Sequence, residues 1–197
     1  MSTTRSNLNL TRRTTLAGLA AGGLGVAVGG RRSGTAQEMS LADHPMTGMW
    51  LALGNPPRRG QDPQFPAPSL FATDGTVILG FVPAEIGMEG DIQFTGSPMG
   101  VWEPHDDHTA HFTVVQVLAD KTGKLVGTVT IDGHPSTDDG GLTFSDDGVL
   151  NTVTIRDAAG AVLTVIPPGT AGTPVTGIRM RVGNAGFSGE ENATPVP

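Results

Sequence analysis

The sequence predicts an all-β protein, a single antiparallel meander β-barrel of about 8–10 strands, with an N-terminal signal helix outside the fold. Glycine (29) and proline (15) are abundant while charged residues are few, which favours turns over helices. The stretch Thr109–Ile131 consists of two β-branched, apolar runs around a polar turn closed by Gly123, a pattern typical of a hairpin. No stretch after the first 36 residues has the apolar periodicity of a helix.

Charge is divided unevenly along the 197 residues. The first 36 contain five arginines and no Asp or Glu, whereas the remainder has seven basic against all nineteen acidic residues, a net charge of −12. An acidic segment of this kind repels phosphate backbones and anionic lipid, so we expect no nucleic-acid partner. Because the chain has no cysteine, disulfides and thiolate metal sites are excluded. It contains no phosphate-binding glycine loop ahead of a helix, and no cofactor is expected.

Residues 1–36 are predicted to be an export signal. A basic segment precedes a short run of Ala, Gly, Leu and Val, and small residues stand before Gln37. The motif Thr11–Leu16, with its paired arginines, resembles the bacterial twin-arginine signal. Its apolar run is too short and too rich in glycine for a spanning helix, which needs roughly 20 apolar residues. We therefore expect export by the twin-arginine machinery, an extracytoplasmic location and no membrane span after processing.

The mature chain begins with a short polar lead-in, residues 37–47, and continues into the predicted barrel domain, residues 48–183. Gly48–Leu53 has the composition of a first strand. Five prolines between Asn55 and Pro68 predict an exposed loop in which neither a helix nor a central strand forms. A hairpin follows around Asp74-Gly75, a strong signal for a two-residue turn.

The second half of the domain continues as short strands and turns. Between Pro83 and Pro98 the chain forms either a short strand at Ile92–Phe94 or a lid loop with Met88 and Phe94 facing inward. Further strands are expected at 100–104, in both arms of the Thr109–Ile131 hairpin, and at 141–145, 149–156, 161–166 and 175–182. Residues 184–197, rich in glycine and proline, are expected to be a disordered tail.

Two turns share the pattern Asp-x-x-Gly, at Asp120–Gly123 and Asp157–Gly160. The aspartate is expected to accept hydrogen bonds from the turn backbone, and the glycine to supply a positive φ. Both segments are too short for a calcium loop of the EF-hand type.

Gly48-x-Trp50 stands on the first predicted strand, followed along the chain by FATDGTV, GVWEP, DKTGKLVGTV and GIRMRV. The first motif resembles the Gly-x-Trp signature of lipocalins and related calycin barrels, whose tryptophan packs across the closed end. The whole order, over residues 46–183, resembles small exported bacterial barrels of lipocalin-like or allene-oxide-cyclase-like form. The resemblance implies a barrel that holds a small apolar ligand, or one that isomerises or cyclises a lipid-like substrate. The usual lipocalin disulfide is absent, and the proline-rich first loop also departs from the lipocalin pattern.

The long hairpin offers two alternative inner faces. One consists of Phe112, Val114, Gln116 and Leu118, and the other of His111, Thr113, Val115 and Val117. The first is preferred because it places one polar group in an apolar lining, the usual composition of a ligand pocket. Trp50 and Trp102 are interpreted chiefly as core residues. The candidate ligand-binding residues are Phe112, Val114, Gln116, Trp102 and Phe94.

His105–His111 is the densest cluster of groups that bind metals or transfer protons. It is interpreted first as a solvated turn, because a spacing of three puts His108 and His111 on opposite faces of an extended chain. The alternative is a site for Zn²⁺, Mn²⁺ or Fe²⁺ formed by His105, His108 and His111.

Three carboxylates, Glu85, Glu89 and Asp91, are expected to form an exposed acidic loop. A general base at the barrel mouth is the alternative for this group. Together the observations favour an exported barrel that binds a small hydrophobic molecule or a protein partner without catalysis. The alternatives are a barrel isomerase or cyclase and a metal-binding protein.

Overall fold

The computed structural model describes residues 40–55, 63–87, 90–170 and 172–187. All of them belong to one compact unit, residues 37–197. The export signal predicted over residues 1–36 and the tail beyond Phe187 lie outside the described residues. Within the described ranges, no helix is long and apolar enough to cross a membrane.

The prediction of an all-β fold is confirmed, since the described residues form strands and turns and no α-helix. Thirteen strands are present in this part of the chain. They are β1 (Gly48–Gly54), β2 (Phe65–Phe71), β3 (Thr76–Leu79), β4 (Ala84–Ile86), β5 (Ile92–Thr95), β6 (Met99–Pro104), β7 (Ala110–Ala119), β8 (Leu125–Gly133), β9 (Ser136–Thr137), β10 (Thr143–Asp146), β11 (Thr152–Asp157), β12 (Val162–Ile166) and β13 (Val175–Arg179).

The strands form one antiparallel sheet that curls into a half-barrel. Its order is β12-β11-β8-β7-β6-β3-β2-β1-β13-β10-β9, with the β4–β5 hairpin attached to β7 through β5. The last strand, β13, lies between β1 and β10, so the path is not a simple meander there. A bridge between Thr109 and Ser136 joins β9 to the residue that precedes β7. The sheet therefore curls back toward itself at this end.

The turn of the β7–β8 hairpin has the predicted chemistry. The Asp120 carboxylate accepts hydrogen bonds from the hydroxyl (2.6 Å) and the N–H (2.8 Å) of Thr122, and these bonds lower the pKa of Asp120. Gly123 has a φ of 81°. The second turn repeats the arrangement, because Asp157 accepts backbone N–H bonds and Gly160 has a φ of 85°. Both turns are hairpin connections, as their Asp-x-x-Gly pattern predicts.

The prediction of a loop over residues 55–68 is wrong at its end, because β2 begins at Phe65 and contains Pro66 and Pro68. The Pro68 carbonyl accepts a hydrogen bond from Gly80 (2.6 Å), on the β3 side of the strand. Since the nitrogen and carbonyl of one strand residue point the same way, the missing N–H of Pro68 removes no bond to β1. The ladder with β3 begins only at Ser69. Residues 56–62 of the predicted loop lie outside the described residues.

Trp50 is the centre of the packing at one end of the half-barrel. Its side chain is fully buried, and its indole N–H donates to the Met46 carbonyl (2.8 Å). Phe144 packs edge-on at 5.3 Å between ring centroids, and the Arg179 guanidinium lies 4.3 Å from the indole centroid. The carbonyl of Thr47 accepts a hydrogen bond from Arg179 (2.8 Å), which holds the cation over the ring. Trp50 is thus a core residue, as predicted.

The lead-in segment belongs to the core rather than being a polar arm. His44 and Met46 are buried against the same end of the half-barrel. The His44 ring donates from Nε2 to the Asp106 carbonyl (2.9 Å) and accepts at Nδ1 from the Met46 N–H (3.0 Å). Both ring nitrogens are therefore satisfied by a neutral imidazole.

The first residues of the predicted tail also contact the sheet. Gly186 is buried close to Leu51 of β1.

Candidate functional site

Burial alternates along β7 with the period of a strand. Each even-numbered residue from Ala110 to Leu118 is buried, and each odd-numbered residue is half-buried or exposed. The inner face is therefore the one preferred from the sequence, with Phe112, Val114 and Gln116 pointing inward.

The half-barrel surrounds a cavity of about 740 Å³. Apolar side chains from strands and connections on several sides contribute most of its lining, among them Phe65, Phe81, Phe112, Ile131, Phe144 and Val175. This volume falls in the range of about 300–1,000 Å³ that accommodates small-molecule ligands. The arrangement offers an apolar molecule a site shielded from water on several sides.

Gln116 is the polar group at the centre of this inner face. Its side chain is 3% exposed, and it pairs across the β7–β8 ladder with Val129, which also lines the cavity. The amide nitrogen Nε2 is buried and has no hydrogen-bond partner among the described residues. A buried donor without a partner costs about 1–3 kcal/mol. Gln116 therefore lines the cavity and carries an amide nitrogen that the described residues leave unsatisfied.

The other candidate ligand-binding residues lie in different surroundings. Phe112 lines the cavity with Gln116, whereas Val114 is fully buried in the core and does not line it. Trp102 packs edge-on against Phe71 (5.7 Å) and donates its indole N–H to a backbone carbonyl, so it is chiefly a core residue. Phe94 belongs to β5, the strand alternative for its segment, and is 49% exposed.

One carboxylate differs from the acidic loop that the sequence predicts. Glu85, on β4, is half-buried and lines the cavity, and this burial raises the pKa of its carboxyl group. Asp91 also borders the cavity but is exposed, and Glu89 lies outside the described residues. A carboxyl group that lines a cavity and has a raised pKa is a candidate for proton transfer.

The structure brings together only part of the predicted histidine set. His111, on β7, lies beside Asp132 and His134 from the end of β8 rather than beside His108. His108 is exposed and faces Thr137, with 3.4 Å between its Nδ1 and the Thr137 hydroxyl. His105 contacts this group through the edge of its ring, 5.7 Å from the His134 centroid.

His134 is the member of this cluster that the sequence analysis missed. Its ring stacks on that of His111, with centroids 4.4 Å apart and planes within 4°. Burial, followed by the nearby His111 and His105, lowers the pKa of His134. The register of β7 and β8 explains the grouping: Thr113 faces Asp132, so the next outward pair is His111 and His134, and the sequence carries no local signal for this register.

No protein-family model, curated protein or solved structure matches this chain. The curled antiparallel sheet is compatible with a barrel fold, and the motifs of the sequence are the remaining basis for a likeness to lipocalin-like barrels.

Proposed function

We propose that this protein binds a small apolar molecule that carries a hydrogen-bond acceptor, and that it does so in the cavity beneath Gln116. One observation carries the proposal, namely the unpartnered amide nitrogen of Gln116 inside an apolar lining. A bound carbonyl or hydroxyl oxygen satisfies this donor, and the aromatic lining buries the rest of the molecule. The likeness to lipocalin-like and allene-oxide-cyclase-like barrels supports a carrier of this type.

We further propose that the carrier acts outside the cytoplasm after twin-arginine export. The paired arginines of Thr11–Leu16 and the small residues before Gln37 support this proposal. The strongly acidic remainder of the chain suits a soluble protein without an affinity for anionic surfaces.

Titration with prodan, a naphthyl ketone whose emission shifts to shorter wavelength in apolar surroundings, tests the binding proposal. Saturable binding is expected, because the ketone matches both the apolar lining and the free amide of Gln116. The substitution Val129→Trp places an indole in the cavity beside Gln116. It is expected to weaken prodan binding at least tenfold, because it removes the space that the ligand needs.

The matched control is Val117→Trp, which adds the same indole to the outer face of β7, where Val117 is 51% exposed. Prodan affinity should change by less than about twofold in this variant, since surface changes away from a site have small effects. Non-saturable binding by the unmodified protein, or equal losses in both variants, would contradict a ligand site in the cavity.

A second candidate function, isomerisation or cyclisation of a lipid-like substrate, is favoured by Glu85. Its carboxyl group lines the same cavity as Gln116, and burial raises its pKa. One group that transfers a proton and one that binds an oxygen are the minimum for proton-transfer chemistry on a carbonyl compound.

Glu85→Gln is expected to stabilise the fold at pH 7 more than at pH 4. The folded-state pKa of Glu85 lies above the unfolded value, so the folded protein loses stability as the pH rises through this interval and the group ionises. Glutamine does not ionise, and the melting-temperature gain should therefore grow with pH. The control is Asp91→Asn on the same hairpin, whose side chain is exposed. A gain that is equal at both pH values would contradict a buried carboxyl group at Glu85.

A further inference from the structure

The outer face of the β7–β8 hairpin carries a group of three side chains that is separate from the cavity. His111 belongs to the outward-facing phase of β7, opposite to the phase of Gln116. Asp132 projects from β8 beside it, and His134 follows directly after the strand ends at Gly133. Their potential ligand atoms all lie within 4.8 Å of one another.

The carboxylate of Asp132 is held in position by two neighbours on β7. One oxygen lies 2.8 Å from His111 Nε2, and the other accepts the Thr113 hydroxyl at 3.0 Å. On the far side of the ring, His111 Nδ1 lies 3.8 Å from a Glu103 oxygen. This separation is longer than a hydrogen bond, so the exposed Glu103 carboxylate adds negative charge beside the group without fixing the ring.

His134 supplies a second, independent indication of a ligand. Its Nδ1 atom is buried and has no hydrogen-bond partner among the described residues. The backbone N–H of His134 is held by an Asp146 oxygen and by the Asn151 side-chain oxygen, each at 3.1 Å. The backbone is therefore fixed while one ring nitrogen, Nδ1, remains unsatisfied among the described residues.

We propose that His111, Asp132 and His134 bind one divalent transition-metal ion of the Zn²⁺ class. Two imidazoles and one carboxylate form a donor set that suits Zn²⁺, Co²⁺ and Fe²⁺, whereas Mg²⁺ and Ca²⁺ prefer oxygen ligands throughout. Three protein ligands leave a further coordination position for water or for the nearby His105. His111 lies at the start of β7 and His134 directly follows the end of β8, so the ion joins these two points of the chain on the outer face. Because the two rings are stacked with their planes within 4°, one ring turns on binding so that its nitrogen points at the ion.

Metal binding is measured on the full chain, prepared without a histidine tag, by calorimetric titration with Zn²⁺ and by the visible spectrum with Co²⁺. One equivalent of Zn²⁺ is expected to bind. Affinity should fall at least thirtyfold in His134→Ala and in His111→Gln, because each removes one of the three ligands. Asp132→Asn, which keeps the shape and removes the charge, should weaken binding roughly tenfold or more, in line with loss of an anionic ligand.

His108→Gln is the matched control, because His108 is an exposed histidine in the same segment of the chain that lies against Thr137. Zn²⁺ affinity within twofold of the unmodified protein in this variant supports the proposed ligands. An equal loss in His108→Gln would assign the ion to the His105–His111 turn and overturn the proposal. Absence of stoichiometric Zn²⁺ binding, or binding that survives both His134→Ala and His111→Gln, would also overturn it. These substitutions are expected to leave prodan binding unchanged, because the three metal ligands face away from the cavity.

Discussion

Replacing Trp50 with alanine is expected to lower the free energy of unfolding by about 3–5 kcal/mol, the usual cost of removing a fully buried tryptophan. The indole is 0% exposed, packs edge-on with Phe144 and lies under the Arg179 guanidinium. Its removal opens a cavity at the filled end of the half-barrel and leaves the Met46 carbonyl without its donor. Urea unfolding, followed by far-ultraviolet circular dichroism, measures the change.

Two further variants separate packing from hydrogen bonding. Trp50→Phe keeps a ring beneath Arg179 but loses the indole N–H, and it should cost about 1–3 kcal/mol. Val101→Ala, at a side chain that is 67% exposed, should change stability by less than about 0.5 kcal/mol. If Trp50→Ala cost no more than Val101→Ala, the packing centre assigned to Trp50 would be wrong.

Gln116→Leu is expected to change stability and ligand binding in opposite directions. Leucine has a similar volume and no polar atoms, so the variant removes the unpartnered donor and should raise the free energy of unfolding by about 1 kcal/mol. Urea unfolding without ligand measures this gain. A loss of stability larger than about 1 kcal/mol would contradict an unpaired amide in the free protein.

The binding effect of Gln116→Leu is measured by displacing prodan with two competitors of nearly equal size. 2-Acetylnaphthalene carries a carbonyl acceptor and 2-ethylnaphthalene does not, so the ratio of their affinities isolates the hydrogen bond. This ratio should fall about tenfold in the variant, as expected for the loss of a buried hydrogen bond of about 1.4 kcal/mol. An unchanged ratio would show that Gln116 does not contact the acceptor.

Much of the fold follows from local sequence, because hairpins depend on neighbouring residues. The turn at Asp120–Gly123 and the β-branched runs beside it predict β7 and β8 directly. The place of β13 between β1 and β10 depends on contacts distant in sequence, which local patterns do not specify. The sequence predicts a loop at Pro66 and Pro68, where the structure has a strand, for a related reason. A proline is compatible with a strand when its nitrogen faces away from the ladder, and this orientation is a property of the assembled sheet.

The two candidate sites differ in how far the sequence predicts them. The alternation of one strand, which is visible in the sequence, leaves two possible inner faces, and the preferred face with Gln116 is the one that the structure buries. The grouping of His111 with Asp132 and His134 depends on an irregularity in the ladder between Leu118 and Ala119. A shift of one residue reverses which side chains of β8 share a face with His111. Sequence alone does not fix this shift, and the histidine set predicted from His105–His111 therefore included His108.

Native mass spectrometry of the protein from its exported pool tests the central proposal most directly. The denatured mass should correspond to a chain that begins near Gln37, as processing of the predicted signal requires. In the native spectrum we expect an additional mass of a few hundred daltons, in keeping with a small ligand in the cavity of about 740 Å³. This mass should be present in Val117→Trp and absent in Val129→Trp. A native mass equal to the denatured mass in the unmodified protein, or an adduct that persists in Val129→Trp, would contradict a ligand carried in the cavity.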